Sequence, residues 1–254
     1  MYYCAIKRFD VANGEGVRVS LFVSGCRNRC KGCFQPETWS FTYGEPFGKA
    51  AEEEIISVLR NPSVRGLTVL GGEPMEPENQ VGLLPFLKKI KAEFPEKTVW
   101  LYTGNLYEEL TGETVCRDTI TDCSDDAVTD CSDDTITDGA DDTITDGADD
   151  AMIESENRNE MAGDADSATV ESKNCDGSSA RKSRVFLPIT AELLSLVDIL
   201  VDGRYEEDKH RLGLRFRGSE NQRIIDMNKT RAEGKIVIWQ GSAEDKKWSG
   251  KNEG

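Results

Sequence analysis

Apolar positions along the chain fall into short blocks of two periods, and the two kinds alternate. Residues 2–16 read as a leader strand and loop, with Asn13-Gly14-Glu15-Gly16 as turn chemistry. Val17-Arg18-Val19-Ser20-Leu21-Phe22-Val23 then alternates at first and becomes apolar on both faces, as a buried parallel strand does. Residues 48–60 carry Ile55, Ile56 and Leu59 on one side of a predicted helix, and Asn61-Pro62 stops it. A short strand follows at 66–70. A second helical stretch at 78–94 has Val81, Leu84, Leu87 and Ile90 near helical spacing, with Pro85 inside it as a kink or a later start. Residues 97–104 predict a third strand and 106–110 the opening of a helix. Further on, 189–197 reads as a short helix, 198–203 as a fourth core strand and 236–239 as an edge strand. Strands alternating with helices predict an α/β fold with a parallel sheet and crossover helices.

The pattern breaks between its third and fourth strands. From Asp118 to Asp149 the chain repeats every eight residues, as Asp-Thr-Ile-Thr-Asp-Cys-Ser-Asp and close variants. Residues 111–183 hold 21 acidic and five basic residues, which is the whole of the net charge of −16 over 254 residues. The repeat lacks the glycine-rich pattern of calcium-binding β-helices and the apolar surface to stack, so it predicts a solvated, largely disordered acidic insertion. The expected organisation is a core at 1–110, the insertion at 111–183, the rest of the core at 184–240 and a polar tail at 241–254. The remainder is electrically neutral, which argues against nucleic-acid binding. No apolar run is long enough to span a bilayer and the N-terminus has no signal region, so a cytoplasmic protein without membrane attachment is expected. Its eight cysteines then read as reduced thiols or metal ligands, and Cys116, Cys123, Cys131 and Cys175 as incidental thiols.

Chemistry concentrates where the Val17 to Val23 run ends. Cys26, Cys30 and Cys33 are spaced C-x3-C-x2-C, with Gly25 and Gly32 permitting a tight loop around one centre. Structural zinc takes four protein ligands, whereas a 4Fe-4S cube can be held by three thiolates with one iron open. Three close ligands favour the cube. A zinc knuckle borrowing Cys4 or His210 and a chance group of buried cysteines are the alternatives. Gly71-Gly72-Glu73-Pro74 ends the next strand, where open α/β sheets place their ligands. By itself that tetrapeptide is an ordinary turn.

The cysteine spacing after a strand resembles the signature of the radical S-adenosylmethionine enzymes. The contexts Asn13-Gly14-Glu15-Gly16-Val17-Arg18, Leu21-Phe22-Val23-Ser24-Gly25-Cys26 and Gly32-Cys33-Phe34 are similar to one branch, the anaerobic ribonucleoside-triphosphate reductase activating proteins. Val201-Asp202-Gly203 and Arg217-Gly218-Ser219-Glu220-Asn221-Gln222 look like that branch's C-terminal blocks, and the acidic repeat has no counterpart in it. The resemblance implies a partial (β/α) barrel and a 4Fe-4S cluster on Cys26, Cys30 and Cys33. It also implies S-adenosylmethionine bound by Gly32, Cys33, Phe34, Gly71, Gly72, Glu73 and Pro74, with Glu73 toward its ammonium group. The expected protein substrate is the anaerobic ribonucleoside-triphosphate reductase, left with a glycyl radical, and the expected electron donor is reduced flavodoxin. Other activases, small-molecule radical enzymes and a non-catalytic metal-binding scaffold are the competing functions. In this branch Gly32 stands where many radical enzymes carry an aromatic residue, and Phe34 follows the third cysteine as adenine partner or core residue. His210 reads as an exposed residue of a charged loop, and Trp39 and Trp100 as core. Arg27, Arg29 and Lys31 read either as solvated charges or as attractants for an acidic donor.

Overall fold

The computed structural model describes residues 1–112 and 183–241. The acidic repeat, its cysteines and most of the polar tail lie outside the described residues. Seven strands form one sheet: β1 (Tyr2–Asp10), β2 (Val17–Val23), β3 (Glu45–Pro46), β4 (Val64–Gly71), β5 (Thr98–Tyr102), β6 (Ile199–Asp202) and β7 (Arg223–Asp226). Their order is β3-β1-β2-β4-β5-β6-β7. Five helices accompany them: α1 (Lys49–Leu59), α2 (Pro77–Glu93), α3 (Tyr107–Thr111), α4 (Thr190–Ser195) and α5 (Met227–Glu233).

The expected α/β class and parallel pairing hold at the centre, where β2, β4, β5 and β6 run parallel. The edges correct the expectation of a parallel sheet throughout. β1 pairs antiparallel with β2 and β3, and β7 antiparallel with β6, so the sheet is mixed. The expected edge strand at 236–239 is also displaced. β7, also four residues long, is the last strand of the sheet, and 236–239 borders it through a single bridge, Ile238 to Ile225.

Register explains how the sheet acquires two different faces. Leu21, Val69, Leu101, Leu200 and Ile225 stand opposite one another across five strands, and all are fully buried in the core that includes residues of α1, α2 and α4. One residue further along each strand, the side chains point to the other face. There Trp100, Ile199 and Val201 pack with Tyr102, Phe216, Ile224 and Trp239 in a second, smaller cluster. Trp100 is core, as its sequence context predicts.

In α2 the apolar face is Leu83, Leu84, Phe86, Leu87 and Ile90, whereas Val81 is 63% exposed, against expectation. Val81 and Pro85 share the solvent side four residues apart. The carbonyl that loses its donor to Pro85 is therefore Val81's, on the wet face, and the helix runs through the proline. Pro77 opens the helix at a position where no amide donor is required.

Candidate functional site

At the carboxyl end of β2 the chain leaves the sheet and turns into the cysteine loop. Ser24 N donates to Tyr2 O at 2.9 Å, Gly25 N to Thr38 O at 2.8 Å and Cys26 N to Trp39 O at 3.2 Å. Gly25 has φ +95, and a Cβ there would stand 2.4 Å from the Phe41 ring. The turn after β4 is laced to this loop: Gly72 N donates to Val23 O at 2.7 Å and Glu73 N to Gly25 O at 2.9 Å. Asn79 Nδ2 of α2 donates to Ser24 O and Glu73 O, so one buried amide holds both segments.

A cavity of about 440 Å³ opens beside this junction. Cys26, Cys30 and Cys33 all line it, together with Phe34, Gly71 and Gly72. Its floor is the second face of the sheet, through Phe22, Leu70 and Tyr102. Tyr205, Phe216 and Gln222 of the segment after β6 line it as well. This wall is held by Gln222, whose Oε1 accepts from Gly218 N and Ser219 N and whose Nε2 donates to Gly203 O. The Tyr102 hydroxyl is buried with no hydrogen-bond partner among the described residues, and burial raises its pKa.

Of the expected site residues, the structure brings the three cysteines, Phe34, Gly71 and Gly72 to one cavity. Gly32, Glu73 and Pro74 are not on its wall. Gly32 lies under Glu207, and Glu73 is fully buried behind the loop. Glu73 Oε1 accepts from Met75 N, and Oε2 from Asn28 Nδ2 and Gly104 N, both at 2.8 Å. Burial raises the Glu73 pKa against those hydrogen bonds. Phe34 is 78% exposed and so is not core. Its ring lies 5.1 Å from Tyr205 and 6.2 Å from His210. His210 is half-buried rather than exposed, with Nδ1 2.8 Å from Gly218 O. Trp39 is half-buried and lines the cavity instead of the core.

Arg27 is a structural residue. It pairs with Glu76 at 2.7 Å and Glu78 at 2.5 Å, which raise its pKa, and it stacks on Phe41 at 4.2 Å. Arg29 and Lys31 are exposed. The place of Tyr205 beside Phe34 and the Glu76 pairing were not legible in the sequence, because each joins segments far apart in the chain. Gln222, by contrast, stands in the Arg217 to Gln222 block that the sequence marks, and its bonds are within that block and to Gly203.

Burial pushes the Cys26 thiol up to about 11, helped by the nearby Glu73 charge, and burial also raises Cys30. None of the described cysteines is in a disulfide. The three sulfurs share a cavity wall without being drawn to one point: among the described residues, no three His, Cys, Asp or Glu stand in metal-holding geometry. Neither Cys4 nor His210 joins the cysteines on that wall. As a donor set, three soft thiols without a fourth protein ligand fit an iron–sulfur cube better than structural zinc.

The family described as "4Fe-4S single cluster domain" matches residues 12–140 and 167–225. The chain is 41% identical over 122 residues to the anaerobic ribonucleoside-triphosphate reductase-activating protein of Pasteurella multocida, covering 47% of this chain and 77% of the relative. It is 44% identical over 112 residues to the protein of that name from Haemophilus influenzae, covering 43% and 72%. With the Escherichia coli K12 relative, also so named, it shares 41% identity over 103 residues, covering 40% and 67%. Among the described residues, no helix is long and apolar enough to cross a membrane.

Proposed function

Since the chain belongs to the family of anaerobic ribonucleoside-triphosphate reductase-activating proteins and carries a 4Fe-4S single cluster domain, we propose that it installs a glycyl radical on such a reductase. The observation that carries this is the convergence of Cys26, Cys30 and Cys33 with Gly71 and Gly72 on one cavity. In this reading Cys26, Cys30 and Cys33 would hold a 4Fe-4S cluster. The chemistry such a cluster would supply is one-electron cleavage of S-adenosylmethionine to methionine and a 5′-deoxyadenosyl radical, which would take hydrogen from a glycine Cα of the reductase.

The chain's own residues bind, orient and keep out water. Gly71 and Gly72 form the wall for the methionine part of S-adenosylmethionine, and Glu73 works from behind it by fixing Asn28 and Gly104. Phe34 and Tyr205 offer ring faces at the mouth for the adenine. Phe22, Leu70 and Phe216 make the interior apolar, which shields a reactive carbon radical from solvent. The segments 1–110 and 184–240 act as one catalytic unit, which we read as a partial (β/α) barrel because its strand–helix–strand units leave one sheet face to the cavity. A reduced flavodoxin or similar acidic carrier would meet the exposed Arg29 and Lys31 beside Cys30.

Anaerobically prepared protein should contain iron and sulfide. After reduction it should form 5′-deoxyadenosine and place a glycyl radical signal on the reductase in electron paramagnetic resonance. Cys30→Ala should abolish cluster and cleavage together. Zinc in place of iron, or cleavage without radical transfer to the reductase, would overturn the proposal.

A further inference from the structure

The cysteine loop is held from outside as well as from the sheet, and the holding residue lies far along the chain. Glu76, at the foot of α2, has a side chain with no solvent exposure. Its carboxylate accepts from the Arg27 backbone N at 2.9 Å and from the Arg27 guanidinium at 2.7 Å, which fixes the residue next to Cys26. The same carboxylate accepts twice from Arg184 Nη1, at 2.6 and 2.5 Å. Arg184 Nη2 also donates to Asn28 Oδ1 at 3.1 Å, and Asn28 lines the cavity. Arg184 therefore reaches the cysteine loop directly at Asn28 and, through Glu76, at Arg27, although 108 positions separate it from Glu76.

A buried carboxylate stays in place only while its charge is matched and its lone pairs are filled. Arg27 alone leaves Glu76 with one guanidinium that is itself shared with Glu78. The fork of Arg184 completes the set and at the same time orients the Asn28 amide, whose other end donates to Glu73. A separate group anchors the re-entering chain: Gln80 Nε2 donates to Val185 O at 2.6 Å, and Gln80 Oε1 accepts from Thr190 Oγ1. The fold at this junction thus has its own fastening, and Arg184 is turned to the loop.

We propose that Arg184 is a positioning residue for the three cysteines, setting the loop conformation in which they receive the cluster. This rests on the cluster-binding reading above, and one of its two tests does not need a cluster.

In cluster-free protein, the rate at which a maleimide modifies the buried Cys26 reports release of the loop. Arg184→Gln should raise that rate about tenfold or more, as loss of a hydrogen bond to a charged group does to a local opening equilibrium. Arg184→Lys keeps the charge but loses the fork, and should fall between. In loaded protein, Arg184→Gln should lose iron to a chelator about tenfold faster and alter the electron paramagnetic resonance line shape of the reduced cluster. Gln80→Leu serves as the control, lowering the melting temperature while leaving thiol protection and line shape unchanged.

Unchanged thiol protection in Arg184→Gln overturns the proposal, and so does an equal effect of Gln80→Leu, which would make Arg184 a fold anchor only. Failure of the wild-type chain to take up iron would instead sink the functional reading, while thiol protection still decides whether Arg184 sets the loop.

Discussion

Gly72 shows how little room the junction leaves for a side chain. A Cβ there would stand 2.8 Å from Gly25 O and 3.0 Å from Thr38 O, both backbone atoms that cannot swing away. Gly72→Ala must therefore push the turn off the cysteine loop. It should cost about 1–3 kcal/mol in urea unfolding, as overpacking does, and lower the iron bound per chain; an unchanged midpoint with full iron would remove the close-packing account. Positions like this were legible because their chemistry is local: three cysteines within eight residues, and two glycines where a strand ends. The partners that fix them were not. Glu76 and Tyr205 act through contacts with segments distant in sequence, and no spacing rule reaches them. Arg18 is a sharper case. Inside an apolar run it is nonetheless buried, donating to Thr68 Oγ1, Thr98 Oγ1, Thr98 O and Leu67 O, and burial lowers its pKa to about 10. The alternation marks Arg18 as lying on the face opposite Val17 and Val19, yet only the structure supplies the acceptors that let a cation sit there.

Among the elements, those that bury an apolar stripe or both strand faces were readable, and β7, half charged and at the edge of the sheet, was not. α1, α2 and the four central strands lie close to their predicted positions because burying one helix stripe or two strand faces writes itself into the sequence. β7 is four residues, Arg-Ile-Ile-Asp, and its place at the edge is fixed by pairing with β6 and by the group Arg223–Asp202–Glu108. Arg223 reaches Glu108 of α3 at 2.7 Å, while Asp202 of β6 also accepts from Tyr107 N at 2.8 Å. One guanidinium thus ties α3, β6 and β7. Its hydrogen bond to Glu108 holds that carboxyl below the usual carboxylate value of 4.5. A depressed carboxylate stabilises the fold above its unfolded pKa and loses that contribution as pH falls through the folded one. Glu108→Gln should therefore lower stability at pH 7 by about 1 kcal/mol, allowing for partial exposure. The gap from wild type should begin to narrow as pH falls below the usual value of 4.5 and close once Glu108 is protonated in the folded chain. Urea titrations at pH 7 and down through that range measure it, and a gap that persists in acid would show that packing rather than charge is lost.

At the scale of the whole molecule, the two described stretches of chain form one sheet. β5, from before the acidic repeat, pairs with β6 from after it, through Trp100 with Ile199 and Leu101 with Leu200. The ends also meet: a Cβ on Gly112 would lie 3.3 Å from the Phe186 ring, and Gln80 binds Val185 O. The break in periodicity between the third and fourth core strands marks an insertion in the sequence. Excising it also predicts a join of ordinary length from Leu110 to Arg184, and the structure supplies the contacts that close it, α3 against the 183–187 segment. Their closeness means that a short connection can span the two edges. If residues 113–182 act as an open loop, replacing them by about eight glycines and serines shortens the closure and should stabilise the fold by about 2 kcal/mol, from the logarithmic dependence of loop entropy on length. Ser183 and Arg184 are kept in that variant, so the grip on the cysteine loop survives and iron content should match the full chain. Denaturant unfolding and iron analysis of the shortened protein decide the matter. A loss of stability would show that the repeat packs on the sheet, and a loss of iron with stability intact would show that it acts on the cluster itself.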